Sequence, residues 1–335
     1  MPSTCRVFLA LLLAMSCSTA LQAADAPAGS GPLGEALAGK RILHIAAHPD
    51  DEALFAPMMA EACRFNGGTC RLVVALDEQS WGCFINIGLQ DLEKCSAMRR
   101  LEVAASAANL NASHEFYGYP EGLYNWSDAG VKRNLQALAA HAGGHAALVA
   151  RFRRTLDEFR PDVVLAFDPR HGITCHPNHR AVVKLALEAI AGLPAERRPV
   201  VWFDSDFAVP WGAPPELKKV VDEFGIVRWP GDEATPVTWY DANVRLPDGR
   251  SGYDYLVDAL RLNATQFPQV AGGRLTPAPD PSLRRIPMVR LADIDPDQPG
   301  MCDGWKSPDF EAVSARFVDG RPVPDYEGII QSMSP

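Results

Sequence analysis

RILHIAA (41–47), CRLVVAL (70–76), PDVVLAF (161–167) and PVVWF (199–203) are short apolar runs, and stretches of helical period separate them. That alternation constrains the chain more than any other feature. Strands and helices at this spacing close as a parallel sheet with right-handed crossovers and helices on both faces. The spacing predicts a helix after the first run through about Arg64, with Pro57 in a first turn, where a missing N–H costs nothing. It predicts further helices over 91–110, over about 131–159 with a break at AGGH, over 177–191 and over 251–267. HEFYGY (114–119) reads as another short strand. Beyond about residue 205 the pattern weakens, and the Pro-rich stretch 274–300 reads as a wrap or a loop. The expected architecture is α/β, one domain over 41–335 with an irregular C-terminal elaboration and no internal repeat.

The first residues, MPSTCRVFLALLLAMSCSTALQAAD, combine a basic start at Arg6 with an apolar stretch too short to span a bilayer and small residues near Ala23. Residues 1–23 are therefore expected to be a signal peptide, and the chain secreted or periplasmic. An uncleaved anchor is the alternative, and Cys17 fits a lipoprotein signal poorly. Residues 24–40, rich in Ala, Gly and Pro, read as a linker. No transmembrane segment is expected in the mature chain. A net charge of −9 with no dense Lys/Arg run argues against nucleic acid and anionic membranes as partners. Nothing in the sequence speaks to oligomeric state.

Export changes how the cysteines read. Outside the leader stand Cys63, Cys70, Cys83, Cys95, Cys175 and Cys302, an even set without a Cys-x-x-Cys pair, which favours disulfides over a thiolate metal site. Proximity in the chain favours Cys63–Cys70 and Cys83–Cys95 and leaves Cys175–Cys302, with a free buried Cys175 as the alternative. Asn-x-Ser/Thr triplets begin at Asn111, Asn125 and Asn263.

Two polar clusters follow apolar strands. HPDDE (48–52) lies just past the first strand, and DPRHGITCHPNHR (168–180) lies just past PDVVLAF. Ligands of open α/β sheets bind beyond the carboxyl ends of the strands, so both clusters reach the same rim. Each alone has a plain explanation: Asp50 or Asp51 as a helix cap, HPNH as a helix start with two exposed histidines. Together they suit a catalytic zinc site, one per chain, with His48, Asp51 and His179 as ligands and a position left for water. Asp50 is then placed as general base. His176, one helical turn from His179, would act as acid and oxyanion stabiliser when protonated.

At these residues the chain resembles the LmbE-like or PIG-L-type zinc deacetylases, through AHPDDE (47–52) and HPNH (176–179). The resemblance covers roughly residues 41–190. It implies a Rossmann-like three-layer sandwich, removal of N-acyl groups from amino sugars, and the same roles for His48, Asp51, His179, Asp50 and His176. It also implies substrate contacts at Arg99, from an R-x-x-E element ending at Glu102, and at Glu121 of YPEG, where Glu replaces the usual Asp. Asn178 likewise replaces the Asp usual in the second motif. Trp81, Phe84 and Tyr119 are candidate sugar-stacking residues, with packing as the competing explanation. The expected activity is hydrolysis of an N-acetyl amide on a sugar or glycoconjugate. The alternative is an inactive carbohydrate-binding protein on the same scaffold, against which the presence of Asp50 argues. The first βα turn has no Gly-x-Gly-x-x-Gly for a dinucleotide, and the ligand set is too small for two metals.

Overall fold

The computed structural model describes residues 30–122, 126–205, 235–273, 284–298, 302, 317–318 and 321–322. The leader, Cys17, Asn125 and the Phe84 side chain lie outside the described residues.

A seven-stranded sheet forms the middle layer, in the order β3-β2-β1-β4-β5-β7-β6. Its first five strands are parallel: β1 (Arg41–Ala46), β2 (Thr69–Glu78), β3 (Ala112–Pro120), β4 (Val163–Phe167) and β5 (Val200–Asp204). The chain runs outward from β1 through β2 to β3, then returns to lay β4 on the other side of β1. The crevice between the ends of β1 and β4 is thus the topological switch point, where open α/β sheets bind ligands.

Alternate residues of β1 and β4 feed the two faces. Leu43, Ile45, Val164 and Ala166 pack against α5 (Asp128–Ala142), α6 (His145–Phe159) and α8 (Pro177–Ala191) through Leu138, Phe152, Leu156 and Leu185. Ile42, Leu165 and Phe167 face the other layer, built from the helical stretch 51–65 (with α2 at Ala56–Met59) and α9 (Gly252–Leu262). Phe55 lies wholly buried between His44 and Phe167, with ring centroids 4.4 and 5.5 Å away. Burial of such a side chain stabilises the floor of the switch point by on the order of 2–3 kcal/mol. After α3 (Gly82–Ile87), α4 (Leu92–Asn109) sets Val103 and Ala107 on Leu72 and Val74. The AGGH break separates α5 from α6 because Gly143 and Gly144 take φ of 82° and 125°, conformations that favour residues without a Cβ.

The expectations fail in three places. Residues 30–40 are not a tether: α1 (Pro32–Leu37) buries Leu33 and Leu37 in the core. Nor is the stretch 274–300 only a wrap, since Arg285–Arg290 forms β7, an interior strand antiparallel to β5 and to β6 (Thr238–Asp241). Pro287 sits within β7, and its carbonyl still accepts the Ser205 N–H at 2.9 Å. The C-terminal region therefore completes the sheet instead of decorating it. The last predicted helix is shorter than expected; α9 starts on a Ser251–Asp254 capping box and ends at Leu262. Past it, α10 is one turn (Pro268–Ala271).

Three cysteine pairs are joined: Cys63–Cys70, Cys83–Cys95 and Cys175–Cys302. Asn263 of the third Asn-x-Thr triplet is wholly buried. Among the described residues no helix is long and apolar enough to cross a membrane.

Candidate active site

His48, Asp50 and Asp51 occupy the turn after β1. Asp51 folds back on this turn, and its Oδ2 accepts the N–H groups of Ala47 and His48 at 2.7 and 2.9 Å. Its Oδ1 lies 3.2 Å from His179 Nε2 and 3.8 Å from His48 Nδ1. Burial opposes ionisation of Asp51, but His179 and His48 outweigh it and hold the carboxyl well below the usual carboxylate range.

The second cluster comes off β4. Asp168 is wholly buried and accepts from the Arg170 guanidinium at 2.7 Å, which fixes the start of the loop. The loop then turns through α7 (Gly172–Cys175), where Ile173 and Cys175 take φ of 62° and 59°, conformations costly for side chains with a Cβ. The disulfide from Cys175 to Cys302 ties that turn down just before His176. His176 caps α8, its Nδ1 accepting the Asn178 N–H at 3.2 Å, which leaves the proton on Nε2. One turn on, His179 Nδ1 donates to the Gly172 carbonyl at 2.9 Å, so its Nε2 lone pair faces Asp51. His48 Nδ1 and His179 Nε2 stand 3.0 Å apart.

Two donor sets overlap here. Ring nitrogens of His48, His176 and His179 come within 4.8 Å of one another. The set of His48, Asp51 and His179 is tighter, and it joins two imidazoles to a carboxylate whose other oxygen is already satisfied by backbone. Its Nδ1, Oδ1 and Nε2 atoms converge with no donor hydrogen of their own required, which is what zinc takes from protein ligands. The residues present fit the metal.

Asp50 stands beside this set with φ 109°, a left-handed conformation strained for a non-glycine residue. Three contacts hold it there. Its N–H donates to Glu52 Oε2 at 3.1 Å, its Oδ1 accepts from Arg99 at 3.1 Å, and Arg99 also donates to the Pro49 carbonyl. Burial and the nearby Asp51 and Glu52 carboxylates push the Asp50 carboxyl well up, against the pull of Arg99. The side chain keeps 20% of its surface exposed, so solvent tempers that push. His176 goes the other way: burial, His179 and His48 hold its imidazole well below the ordinary value, and therefore neutral.

Residues 43–190 match the PIG-L family, described as GlcNAc-PI de-N-acetylase. A deacetylase of Nakamurella multipartita that acts on 1D-myo-inositol 2-acetamido-2-deoxy-alpha-D-glucopyranoside is 30% identical over 56% of this chain and 69% of its own length. The chain belongs to the PIG-L family. A second deacetylase of the same name, from Saccharomonospora viridis, is 28% identical over 68% of this chain and 85% of that protein. Among solved structures, a zinc-inhibited teicoplanin deacetylase is similar at 18% identity over 76% of this chain and all of the other, with a TM-score of 0.48.

Within this PIG-L chain the expected substrate contacts are placed behind the rim. Arg99 is 2% exposed and spends its guanidinium on Pro49, Asp50 and Ser80, with Glu121 at 3.6 Å. Glu121 is buried as well. Its Oε2 accepts from Ser80 Oγ and the Trp81 N–H at 3.0 and 3.1 Å, and its Oε1 lies 3.7 Å from His48 Nε2. Trp81 is buried too, its indole N–H donating to the Glu121 carbonyl at 3.0 Å. Tyr119 packs edge-on against Tyr117 and His141. Neither ring is set out as a sugar platform. The reason is that Arg99 and Glu121 neutralise one another beside Asp50 and His48, and buried charges stay only where they are paired.

Sequence reasoning missed several residues. Trp126, half-buried, lies with its ring 6.2 Å from that of His176. Glu52 is wholly buried, bound to Asn263 Nδ2 at 2.7 Å, and its carboxyl is pushed up by burial. Glu102 of the R-x-x-E element binds the Thr265 N–H and hydroxyl. These acids fasten residues 263–265 beneath the catalytic turn. The only sequence signal for Glu52 was its place in AHPDDE, and Asn263 carried none.

Proposed function

We propose that this PIG-L chain is an exported, zinc-dependent hydrolase that removes an N-acetyl group from an amino sugar or glycoconjugate. The observation that carries the reading is the convergence of His48 Nδ1, Asp51 Oδ1 and His179 Nε2 beside the strained, arginine-bound Asp50. The acetamido sugars named for its relatives support the substrate class, and the apolar leader supports export.

A zinc ion held by these ligands supplies Lewis acidity toward water and the amide carbonyl. The chain's own residues handle the protons. Asp50 accepts a proton from the attacking water, and its raised carboxyl keeps that proton close enough in energy to return it to the departing amine nitrogen. The new C–O bond and the broken C–N bond leave acetate and a free amine. His176, neutral with its proton on Nε2, donates a hydrogen bond to the amide oxygen as charge builds there. It therefore serves as a donor, without the protonated state that its motif suggested.

Release of acetate from a panel of N-acetylated sugars, glycolipids and cell-wall fragments tests the proposal. Turnover of at least one class is expected, lowered about 10²–10⁴-fold in Asp50→Asn with zinc retained. Zinc-loaded protein that binds such sugars and hydrolyses none would leave a binding protein instead.

A further inference from the structure

Trp126 and His176 are ring neighbours. Their centroids lie 6.2 Å apart with the planes inclined by 38°, and both residues keep part of their surface open. The aromatics expected to meet a sugar are enclosed by comparison. Trp81 and Tyr119 are 8% and 9% exposed, and the Trp81 indole N–H is spent on the Glu121 carbonyl.

The place of Trp126 is built into two helices. It precedes Ser127, the N-cap of α5, whose Oγ accepts the Gly130 N–H at 3.2 Å. Asp128, the first residue of α5, accepts from the Arg180 guanidinium, and Asn134 donates to Asn178 Oδ1 at 2.7 Å. Asn178 and Arg180 flank His179 on α8, the helix that His176 caps. The start of α5 is thus fastened to the turn of α8 that carries both histidines. An indole anchored at this point loses little freedom when a ligand lies on it, which favours binding.

The reaction proposed above puts the amide oxygen within hydrogen-bond reach of His176. In a 2-acetamido pyranoside, the class named for the relatives, that oxygen is a few bonds from the sugar ring. A pyranose face of C–H groups is an apolar patch, and a flat aromatic ring removes it from water. We propose that Trp126 is the substrate-contacting platform of this site: the pyranose ring lies against its indole while the acetamido group reaches toward His176. This deepens the sugar-directed reading above and rests on it. Trp126 then selects for the ring, and Asp50 and His176 carry out the amide chemistry.

The competing role is structural, an indole that only braces the imidazole. The two roles fall on different constants. A platform binds ground state and transition state alike, so its loss raises KM; a brace acts through the oxyanion donor, so its loss lowers kcat.

Methyl 2-acetamido-2-deoxy-α-D-glucopyranoside is the probe, used with the full, zinc-loaded chain. Trp126→Ala should raise KM by about 5–20-fold, the order expected for uncovering one face of a sugar ring, with the loss falling on KM rather than kcat. Trp126→Phe, which keeps a flat ring, should recover most of it. In the Asp50→Asn background, where turnover is slow, calorimetry should show Kd shifting by the same factor. A fall in kcat at constant KM overturns the proposal, and so does a Kd that is indifferent to the indole. Should Trp126→Ala not fold, NMR of the Asp50→Asn chain decides. Overhauser effects between sugar ring protons and an indole that is missing in Trp126→Phe support the platform, and their absence overturns it. Sugar binding that depends on Trp126 in a wild-type chain that releases no acetate removes the hydrolase reading and leaves the platform; acetate release indifferent to Trp126 does the reverse.

Discussion

Asp51 presents one carboxylate oxygen to the Ala47 and His48 N–H groups and the other, at 3.2 Å, to His179 Nε2 across the switch point. Asp50, its neighbour, takes no part in that bridge and is bound to Arg99 instead. Adjacent carboxylates thus have different partners, which in the proposed mechanism divides them between holding the metal and moving the proton.

The division predicts separable losses. His48→Ala, Asp51→Ala and His179→Ala should each lose zinc together with activity. Asp50→Asn should keep zinc and lose about 10²–10⁴-fold in kcat. Elemental analysis beside turnover checks it, and an Asp50→Asn chain without metal would reverse the two roles.

His176→Ala should retain zinc and lower kcat by about 10²–10³-fold, the usual effect of removing one donor to a developing oxyanion. Because the imidazole is held neutral, the acid limb of the kcat profile should keep its midpoint in the variant. A limb that vanishes with His176 would restore the protonated role.

Asn263→Ala should destabilise the chain by about 1–3 kcal/mol, since it strips a hydrogen bond from the buried Glu52 carboxyl. Glu52 also accepts the Asp50 N–H, so kcat should fall while zinc content stays constant. Denaturant unfolding and metal analysis on one preparation measure both. Unchanged stability would show that Glu52 finds another partner.

His44 ties stability to pH. It is wholly buried in β1, accepts no solvent, and burial lowers its pKa from 6.5 to about 4. The unfolded chain therefore binds a proton at a higher pH than the folded one. The resulting stability is complete above pH 6.5 and is lost as pH falls toward 4, by about 3 kcal/mol in all. His44→Leu should flatten that part of the curve. Equal slopes for the two proteins between pH 6.5 and 4 would contradict it.

Cys302→Ser should leave the chain folded and reduce activity, because it unties the strained turn before His176. Non-reducing peptide mapping of the wild-type chain should recover Cys175 joined to Cys302. An alkylatable Cys175 in oxidised, native protein would detach the tail from the site.

What the sequence determined by itself is what short-range physics can encode. Apolar runs at β spacing and the Gly143–Gly144 pair set the succession of strands and helices. Three- and four-residue separations let Asp51 bond back to Ala47 and His48, and they put His176 and His179 one turn apart on α8. The tertiary structure decided which distant groups meet. Strand order brings Asn178 and Glu121 to the two sides of His48 Nε2 and carries Asn263 to Glu52, across separations that no local period records. It also made α1 and β7 parts of the core, although Ala, Gly and Pro gave them the look of connecting chain. Arg99 and Glu121 are withdrawn from the rim for the same reason: a charge goes where its partner lies, and partnership is a property of packing rather than of sequence neighbours.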